Sequence, residues 1–326
     1  MTDSVAASAT AVKRPTFSHR LEHAALRGVV GLLGALPWRV ATAMGARIGA
    51  LGYRPLRIRR RIVERQLAAA FPEWPPARVA DTARAAYAHL GRVMVEAMLL
   101  PSAPPGKIME LFEPDEESWA VLEAARAEGK GIICVTGHIG NWELGGAYVA
   151  ARGVPVDAVA RHMSNPLADA WITSTRTRIG MTVVYDDQAV RRTTRALKEG
   201  RLVAFLADQG VKGLASTFVP FFGRPAKTPR GPAVFALRFG APMVLIIPYR
   251  TPGGKYHLSI ERIPLVDTGD KEADIDAMVA AWTRMLEGWV RRVPEQYFWH
   301  HQRWRRQPPD TPPALRDPTR DPARDA

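Results

Sequence analysis

A chain of 326 residues, 47% of them hydrophobic, can build one large domain or two small ones around a real core. Its single cysteine, Cys134, excludes an intramolecular disulfide framework. The formal net charge of +13 calls for an acidic partner. With no zinc-finger spacing, aromatic-interleaved RNA signature or evident helix-turn-helix, that partner is an anionic membrane surface and not nucleic acid.

Residues 1–19 read as a disordered, Ala/Ser-rich tail without the apolar core of a signal peptide. Gly28 to Tyr53 is rich in Leu, Gly, Ala and Val, but Pro37 breaks it and Arg39 and Arg47 interrupt it. The uncharged run from Gly28 to Trp38 is too short to cross a bilayer of about 30 Å. A broken pair of membrane-associating helices over 20–54 is expected instead, with Trp38 at headgroup depth. Leu56 to Phe71 is a helix with a basic face (Arg57, Arg59, Arg60, Arg61, Arg65) that stops at Pro72. After Pro75-Pro76, a long Ala-rich helix runs from Ala77 to Leu100, and Pro101 to Gly106 breaks it.

Alternation follows. Helix Glu116–Glu128 precedes strand Gly131–Thr136, and a helix from Asn141 precedes strand Val154–Ala160. A helix around Leu167–Ile179 leads to strand Met181–Tyr185, then helix Ala189–Glu199, capped by Gly200, leads to strand Arg201–Ala207. A Phe/Pro-rich loop reaches Phe222, a helix covers Ala233–Phe239, and Met243–Tyr249 and Tyr256–Ile263 read as strands. This order predicts an α/β fold: one domain over 20–306 with a mainly parallel central sheet flanked by helices. Residues 307–326, full of Pro, Asp and Arg, read as a disordered tail.

The chemistry concentrates after the first strand, in Gly137-His138-Ile139-Gly140-Asn141-Trp142-Glu143. A His within reach of a carboxylate at the end of a buried strand suggests a general base with its orienting acid. His138 and Glu143 converge only if the His lies in the loop and the Glu in the first helical turn, a bend that Gly140 permits. A plain strand–turn–helix connection, with a capping polar residue and a surface Glu, is the other reading. Arg161 follows the second strand and Asp208-Gln209-Gly210 the fourth. In open α/β sheets ligands bind beyond the carboxyl ends of the strands, so these strand ends define one expected site. No Gly-x-Ser-x-Gly elbow, P-loop or Gly-x-Gly-x-x-Gly fingerprint is present. His19/His23 and His300-His301 have no carboxylate or Cys ligands at metal spacing, so neither a metal nor a cofactor is expected.

The string GHIGNWELG resembles the His-x4-Asp/Glu signature of the glycerolipid acyltransferase superfamily, and more closely that of the bacterial lipid A lauroyl and myristoyl acyltransferases. The resemblance runs from about Leu21 to Arg306. It implies a glycerolipid acyltransferase-like fold with His138 and Glu143 as catalytic dyad. Arg161 with Ser164-Asn165-Pro166-Leu167 is similar to the family's Tyr-Arg-Pro…Asn-Pro-Leu segment, with His162 where Pro is frequent. Arg176 falls at the family's helical Arg, and Asp208-Gln209 resembles its Asp-Gln segment. Lys227-Thr228-Pro229-Arg230-Gly231 resembles a loop before a helix, where two cations and free N–H groups would hold a phosphate. Pro294-Glu295-Gln296-Tyr297, Trp299 and Arg303 match the closing motif, expected to be structural.

The resemblance implies acyl transfer from acyl carrier protein, or acyl-CoA, to a hydroxyl of a lipid A precursor or another glycolipid or lysolipid. It places the enzyme on the cytoplasmic face of the inner membrane. N–H groups near Gly140 and Asn141 are expected to stabilise the oxyanion. Phe218, Phe221 and Phe222 are candidates either for an acyl channel or for packing. Rival readings are a thioesterase or phospholipase that uses the dyad with water, and a non-enzymatic basic peripheral membrane protein.

Overall fold

The computed structural model describes residues 15–320. Five short apolar segments form its central parallel strands: β1 (Ile132–Thr136), β2 (Val156–Ala160), β3 (Met181–Tyr185), β4 (Leu202–Leu206) and β7 (Met243–Arg250). With β8 (Tyr256–Ile263), antiparallel to β7 on one edge, they make a six-stranded sheet in the order β3-β2-β4-β1-β7-β8. Both faces are covered, which is why the strands are mostly apolar and not alternating; Asp157 on β2 is buried against Arg201. Ile133, Val135, Leu245 and Ile247 point to one core, and Ile132, Cys134, Val244 and Ile246 to the other. The expected α/β architecture is therefore present.

The second core lies under α5 (Pro105–Glu110), α6 (Glu116–Ala127) and α7 (Trp142–Ala151), whose buried residues include Ile108, Trp119, Leu122 and Leu144. The first core lies under α10 (Gly231–Phe239) and α11 (Lys271–Arg292). Alternation of elements did not anticipate α11. Its signal is nonetheless helical: Ile275, Met278, Val279, Trp282, Leu286 and Trp289 are buried at spacings of three and four, after an Asp270 N-cap that accepts from Ala273 N. The Phe/Pro-rich loop is also more regular than expected. It contains an antiparallel hairpin, β5 (Ser216–Phe221) and β6 (Arg224–Pro229). α8 (Pro166–Arg178) and α9 (Ala189–Lys198) cover the β2/β3/β4 side.

Ahead of the sheet stand α1 (Phe17–Gly34), α2 (Trp38–Tyr53), α3 (Arg60–Ala70) and α4 (Pro76–Leu99). The break between α1 and α2 falls at Pro37, where the sequence reading put it. α2 lies on α4 with the backbones in contact: a Cβ on Gly49 would overlap the Tyr87 carbonyl, and one on Gly91 that of Gly45. α1 buries only Leu33. A stripe of Phe17, Leu21, Val29 and Leu32 on α1 is exposed, as is one of Val40, Met44, Ile48 and Leu51 on α2. Among the described residues no helix is long and apolar enough to cross a membrane.

Trp38 is partly buried against the core cluster of Leu33, Ala41, Val95 and Leu99. Two expectations need correction. Residues expected in the disordered N-terminal tail include Thr16, which caps α1 by accepting from His19 N, and Phe17–His19, which open the helix; residues 1–14 lie outside the described residues. Of the C-terminal tail, 321–326 lie outside the described residues, but 307–320 dock on the β5–β6 hairpin. Arg224 Nη1 donates to the carbonyls of Ala314 and Arg316, and Gln307 Nε2 to those of Pro225 and Leu315. A low-apolar segment is ordered here by side-chain bonds to its carbonyls, a source of order that composition does not register.

Candidate active site

β1 and β4 are parallel neighbours with Thr136 opposite Leu206, so the residues two places beyond each, His138 and Asp208, emerge side by side. Asp208, 2% exposed, is bound twice: it accepts the His138 main-chain N–H (2.9 Å) and lies 2.7 Å from Nδ1 of the same residue. Burial opposes its ionisation. The His138 ring, these hydrogen bonds and the charge of Arg303 outweigh burial and hold its pKa down to about 2. The His138 ring shows the complementary balance. Burial works against its charged form, but the Asp208 carboxylate prevails, assisted by the charge of Glu143, and the pKa rises above the ordinary histidine value. With Nδ1 committed to Asp208, Nε2 is the nitrogen left for chemistry. The ring packs near Trp142 and Phe298, with centroids 4.9 and 5.9 Å away.

The expected His138–Glu143 pair is not formed. Glu143 sits in the first turn of α7, as anticipated, but both its oxygens are taken by Arg176 of α8, from Nε at 3.1 Å and Nη2 at 2.6 Å. A planar guanidinium satisfies a carboxylate with two parallel bonds, which a neutral imidazole cannot match. Glu143 therefore acts on His138 through its charge, and Asp208 is the group that orients the ring.

The expected oxyanion donors are also occupied. Gly140 bends the chain with φ +59°, and a Cβ there would overlap the Pro248 carbonyl, so only glycine fits. Its N–H donates to Gln296 O (3.0 Å), and the Asn141 N–H donates to Pro248 O (2.9 Å). Asn141 is buried and caps α7: Oδ1 accepts from Leu144 N at 3.0 Å, while Nδ2 donates to Glu96 at 2.8 Å. Both residues shape the turn from inside the protein.

A cleft of about 350 Å³ opens at the carboxyl ends of β1, β2 and β4 and gathers His138, Glu143, Arg161, Arg176 and Gln209. Gln209 Nε2 is 3.2 Å from His138 Nδ1, and half-exposed Arg161 donates from Nε to Asp186 at 2.8 Å. The Lys227/Arg230 pair is absent from this lining. Lys227 is a strand residue of β6 whose carbonyl accepts from Arg303, and Arg230 turns to α11, 2.8 Å from Glu272 and 3.4 Å from Asp276. The expected meeting of four cations at one mouth thus reduces to Arg161 and Arg176, each paired with a carboxylate.

Beneath α7 a narrow cavity of about 60 Å³ adjoins the cleft. Trp142, Glu143, Val159, Arg176 and Leu206 border both spaces, while Cys134, Gly146, Val149, Val156, Met181 and Leu202 make the inner wall apolar. Gly145 and Gly146 let the cavity walls close on the helix: a Cβ would overlap Pro248 Cγ at 2.7 Å and the flexible end of Met181, Cε, at 2.8 Å respectively. Cys134 is a wall residue whose thiol burial pushes up to about 12. The phenylalanines are elsewhere. Phe221 and Phe222 pack with Phe71, Tyr297, Trp299 and Trp304, and Phe218 is exposed on β5.

The closing motif braces the catalytic turn. Ile139 bridges to Tyr297, Phe298 N donates to His138 O (2.9 Å), and buried Arg303 donates to Lys227 O and Thr228 Oγ1. Two residues that sequence reasoning passed over hold the turn from α4: His89 Nε2 lies 3.0 Å from Gly140 O, and Glu96 accepts from Asn141 and from Tyr256 OH (2.6 Å). Polar residues at spacing seven on the buried side of an Ala-rich helix were the available signal.

A carboxylate-oriented histidine at strand ends, opening on a polar cleft and an apolar cavity, defines a class: an α/β enzyme equipped for proton transfer beside a long apolar group. The family model for "Bacterial lipid A biosynthesis acyltransferase" matches residues 15–306. The chain is 28% identical over 287 residues to the lipid A biosynthesis lauroyltransferase of Escherichia coli, covering 87% of this chain and 92% of the relative. It is 28% identical to the palmitoleoyltransferase of the same organism, covering 86% and 90%. It is also 28% identical over 235 residues to a phosphatidylinositol mannoside acyltransferase of Mycolicibacterium smegmatis, covering 66% and 74%. The chain belongs to the bacterial lipid A biosynthesis acyltransferase family and is an acyltransferase.

Proposed function

We propose that this protein moves a fatty acyl chain from an acyl thioester to a hydroxyl of a lipid A precursor or related glycolipid, with acyl carrier protein as donor. The single observation that carries the reading is the Asp208-oriented His138 in a cleft that shares five wall residues with the apolar cavity under α7. The cavity takes the acyl chain and leaves the thioester carbonyl at the Trp142/Arg176 rim. His138 Nε2 removes the proton of the acceptor hydroxyl as its oxygen attacks that carbonyl. Asp208 keeps the remaining ring proton on Nδ1 and stabilises the imidazolium that forms. Collapse of the tetrahedral intermediate breaks the carbon–sulfur bond, and the departing thiolate takes the proton from the imidazolium. The acceptor is itself the nucleophile, so no covalent enzyme intermediate is required. Arg176 spends two N–H groups on Glu143 and has others free at the rim, so it serves as the cation nearest the developing oxyanion.

The exposed stripes of α1 and α2 supply a surface for shallow insertion at the cytoplasmic face of the inner membrane, with the net positive charge attracting anionic lipids. The names of the relatives, lipid A and phosphatidylinositol mannoside acyltransferases, support a glycolipid acceptor. The test is a reaction of the purified protein with acyl carrier protein thioester and a lipid A precursor, read by mass. An acceptor heavier by one acyl group supports the proposal. Release of free fatty acid with the acceptor unchanged would make the protein a thioesterase.

A further inference from the structure

A second cleft, of about 470 Å³, lies between α4, the carboxyl end of β7 and the last turn of α11. It abuts the catalytic turn from behind. Gln296 in its wall accepts the Gly140 N–H and brackets the Arg250 backbone, its amide accepting from Arg250 N and donating to Arg250 O, each at 2.8 Å. Gly140 is two residues from His138, about 7 Å of chain at most.

The lining is cationic. Arg92, Arg250 and Arg292 face the space against one carboxylate, Glu295. Of the other titratable wall residues, His89 is held at a pKa of about 4 by burial and by the charges of Arg92 and Arg250, so it is neutral at pH 7, and burial raises the pKa of Tyr249. Arg161, Arg176 and Arg230 each have a carboxylate partner. None of the three arginines here forms an ion pair among the described residues, and Arg250 Nε is buried without a hydrogen bond. Burial, and next to it the Arg92 charge, lower the Arg250 pKa, against the opposing influence of Tyr256 and the buried Glu96. Arg292 rests on the Trp289 ring at 4.6 Å, which positions its guanidinium without neutralising it. With Glu295 the one carboxylate in the wall, and Glu96 buried behind it and bonded to Asn141 and Tyr256, three guanidiniums match a phosphate monoester, whose charge is about −1.5 to −2 and whose oxygens fit the arginine fork. The cleft has room for more than a bare ion.

We propose that Arg92, Arg250 and Arg292 bind a phosphate monoester behind the catalytic turn, carried by a sugar-phosphate headgroup or present as free inorganic phosphate. Assigning that phosphate to the glycolipid acceptor deepens the acyl-transfer reading and rests on it; phosphate binding itself does not. The full-length protein is titrated by calorimetry, in low-salt buffer, with inorganic phosphate, glucosamine 1-phosphate and glucosamine. The phosphate compounds bind saturably and glucosamine does not. Tighter binding of glucosamine 1-phosphate identifies a headgroup, and equal or tighter binding of inorganic phosphate identifies the free ion. Arg250→Ala and the exposed Arg292→Gln, which leaves the core untouched, each weaken binding by about 10- to 150-fold. Glu295→Gln tightens it, and Arg191→Ala, in the basic cleft beside α9, leaves it unchanged. No saturable phosphate binding, equal binding of glucosamine, or as large a loss in Arg191→Ala as in Arg250→Ala overturns the proposal. Because binding is read without turnover, a protein that binds phosphate but transfers no acyl group retires only the acyl-transfer reading.

Discussion

Replacing Asp208 with Asn separates the two carboxylates near His138. Asp208 makes two contacts to His138, but only one changes during the reaction. The bond from the main-chain N–H is present throughout, so its loss costs folding stability more than rate. The contact at Nδ1 strengthens as imidazole becomes imidazolium. A charge-assisted hydrogen bond contributes about 1.5–3 kcal/mol, a rate loss on the order of 10²-fold at its upper end. If the Asn amide also selects the wrong ring tautomer, the loss approaches about 10⁴-fold. The fall should appear in kcat with KM little changed. The pH profile gives a second readout. His138 must be neutral to act as a base, and Asp208 raises its pKa, so the acid limb of kcat/KM in the native enzyme should lie above the ordinary value of 6.5. Without the carboxylate, burial dominates and the limb should move to lower pH. Acyl transfer is measured over a pH series at saturating donor, with melting temperatures as a folding control. A folded Asp208→Asn enzyme with turnover within a few-fold of native, or with an unmoved acid limb, would refute the assignment of Asp208 as the orienting group.

Glu143 and Arg176 should behave as a unit: Glu143→Gln and Arg176→Gln each lower activity and stability, and the double variant costs less than the two losses added, as a double-mutant cycle would show. Gly146→Leu places a side chain in the apolar cavity, so the preference among a series of acyl donors should shift to shorter chains with His138 chemistry intact. Leu32→Glu combined with Ile48→Glu puts charge on the exposed stripes of α1 and α2 and should release the protein from anionic vesicles in a flotation assay. High salt should weaken binding of the native chain, and salt-independent attachment would speak against the interfacial reading.

What the sequence made legible follows from locality. Apolar runs bounded by glycine and proline located the central strands, and Gly140 marked the bend that its φ of +59° now displays. The polar residues after β1, β2 and β4 pointed to one edge of the sheet, and His138, Arg161 and Gln209 do line one cleft there. Partner choice was not legible. That Asp208 serves His138 depends on β1 and β4 being neighbours in a particular register, a long-range fact with no local trace. Glu143 lay closer in sequence, but α8 brings Arg176 against it, and a bidentate ion pair outcompetes an imidazole. Arg230 was misplaced for a related reason: α11, with Glu272 and Asp276 on its first turns, went unassigned, so the carboxylates that claim that arginine were unseen. Phe221 and Phe222 read as well for a channel as for a core, and the aromatic partners contributed by Phe71 and by 297–304 decide for the core.

The most direct test of the central claim is single-turnover acyl transfer by His138→Ala, followed by the mass of the acylated glycolipid, with acceptor binding measured in parallel. Loss of a general base predicts product formation slowed by about 10²- to 10⁴-fold with acceptor affinity preserved. Acylated product appearing at close to the native rate would contradict it.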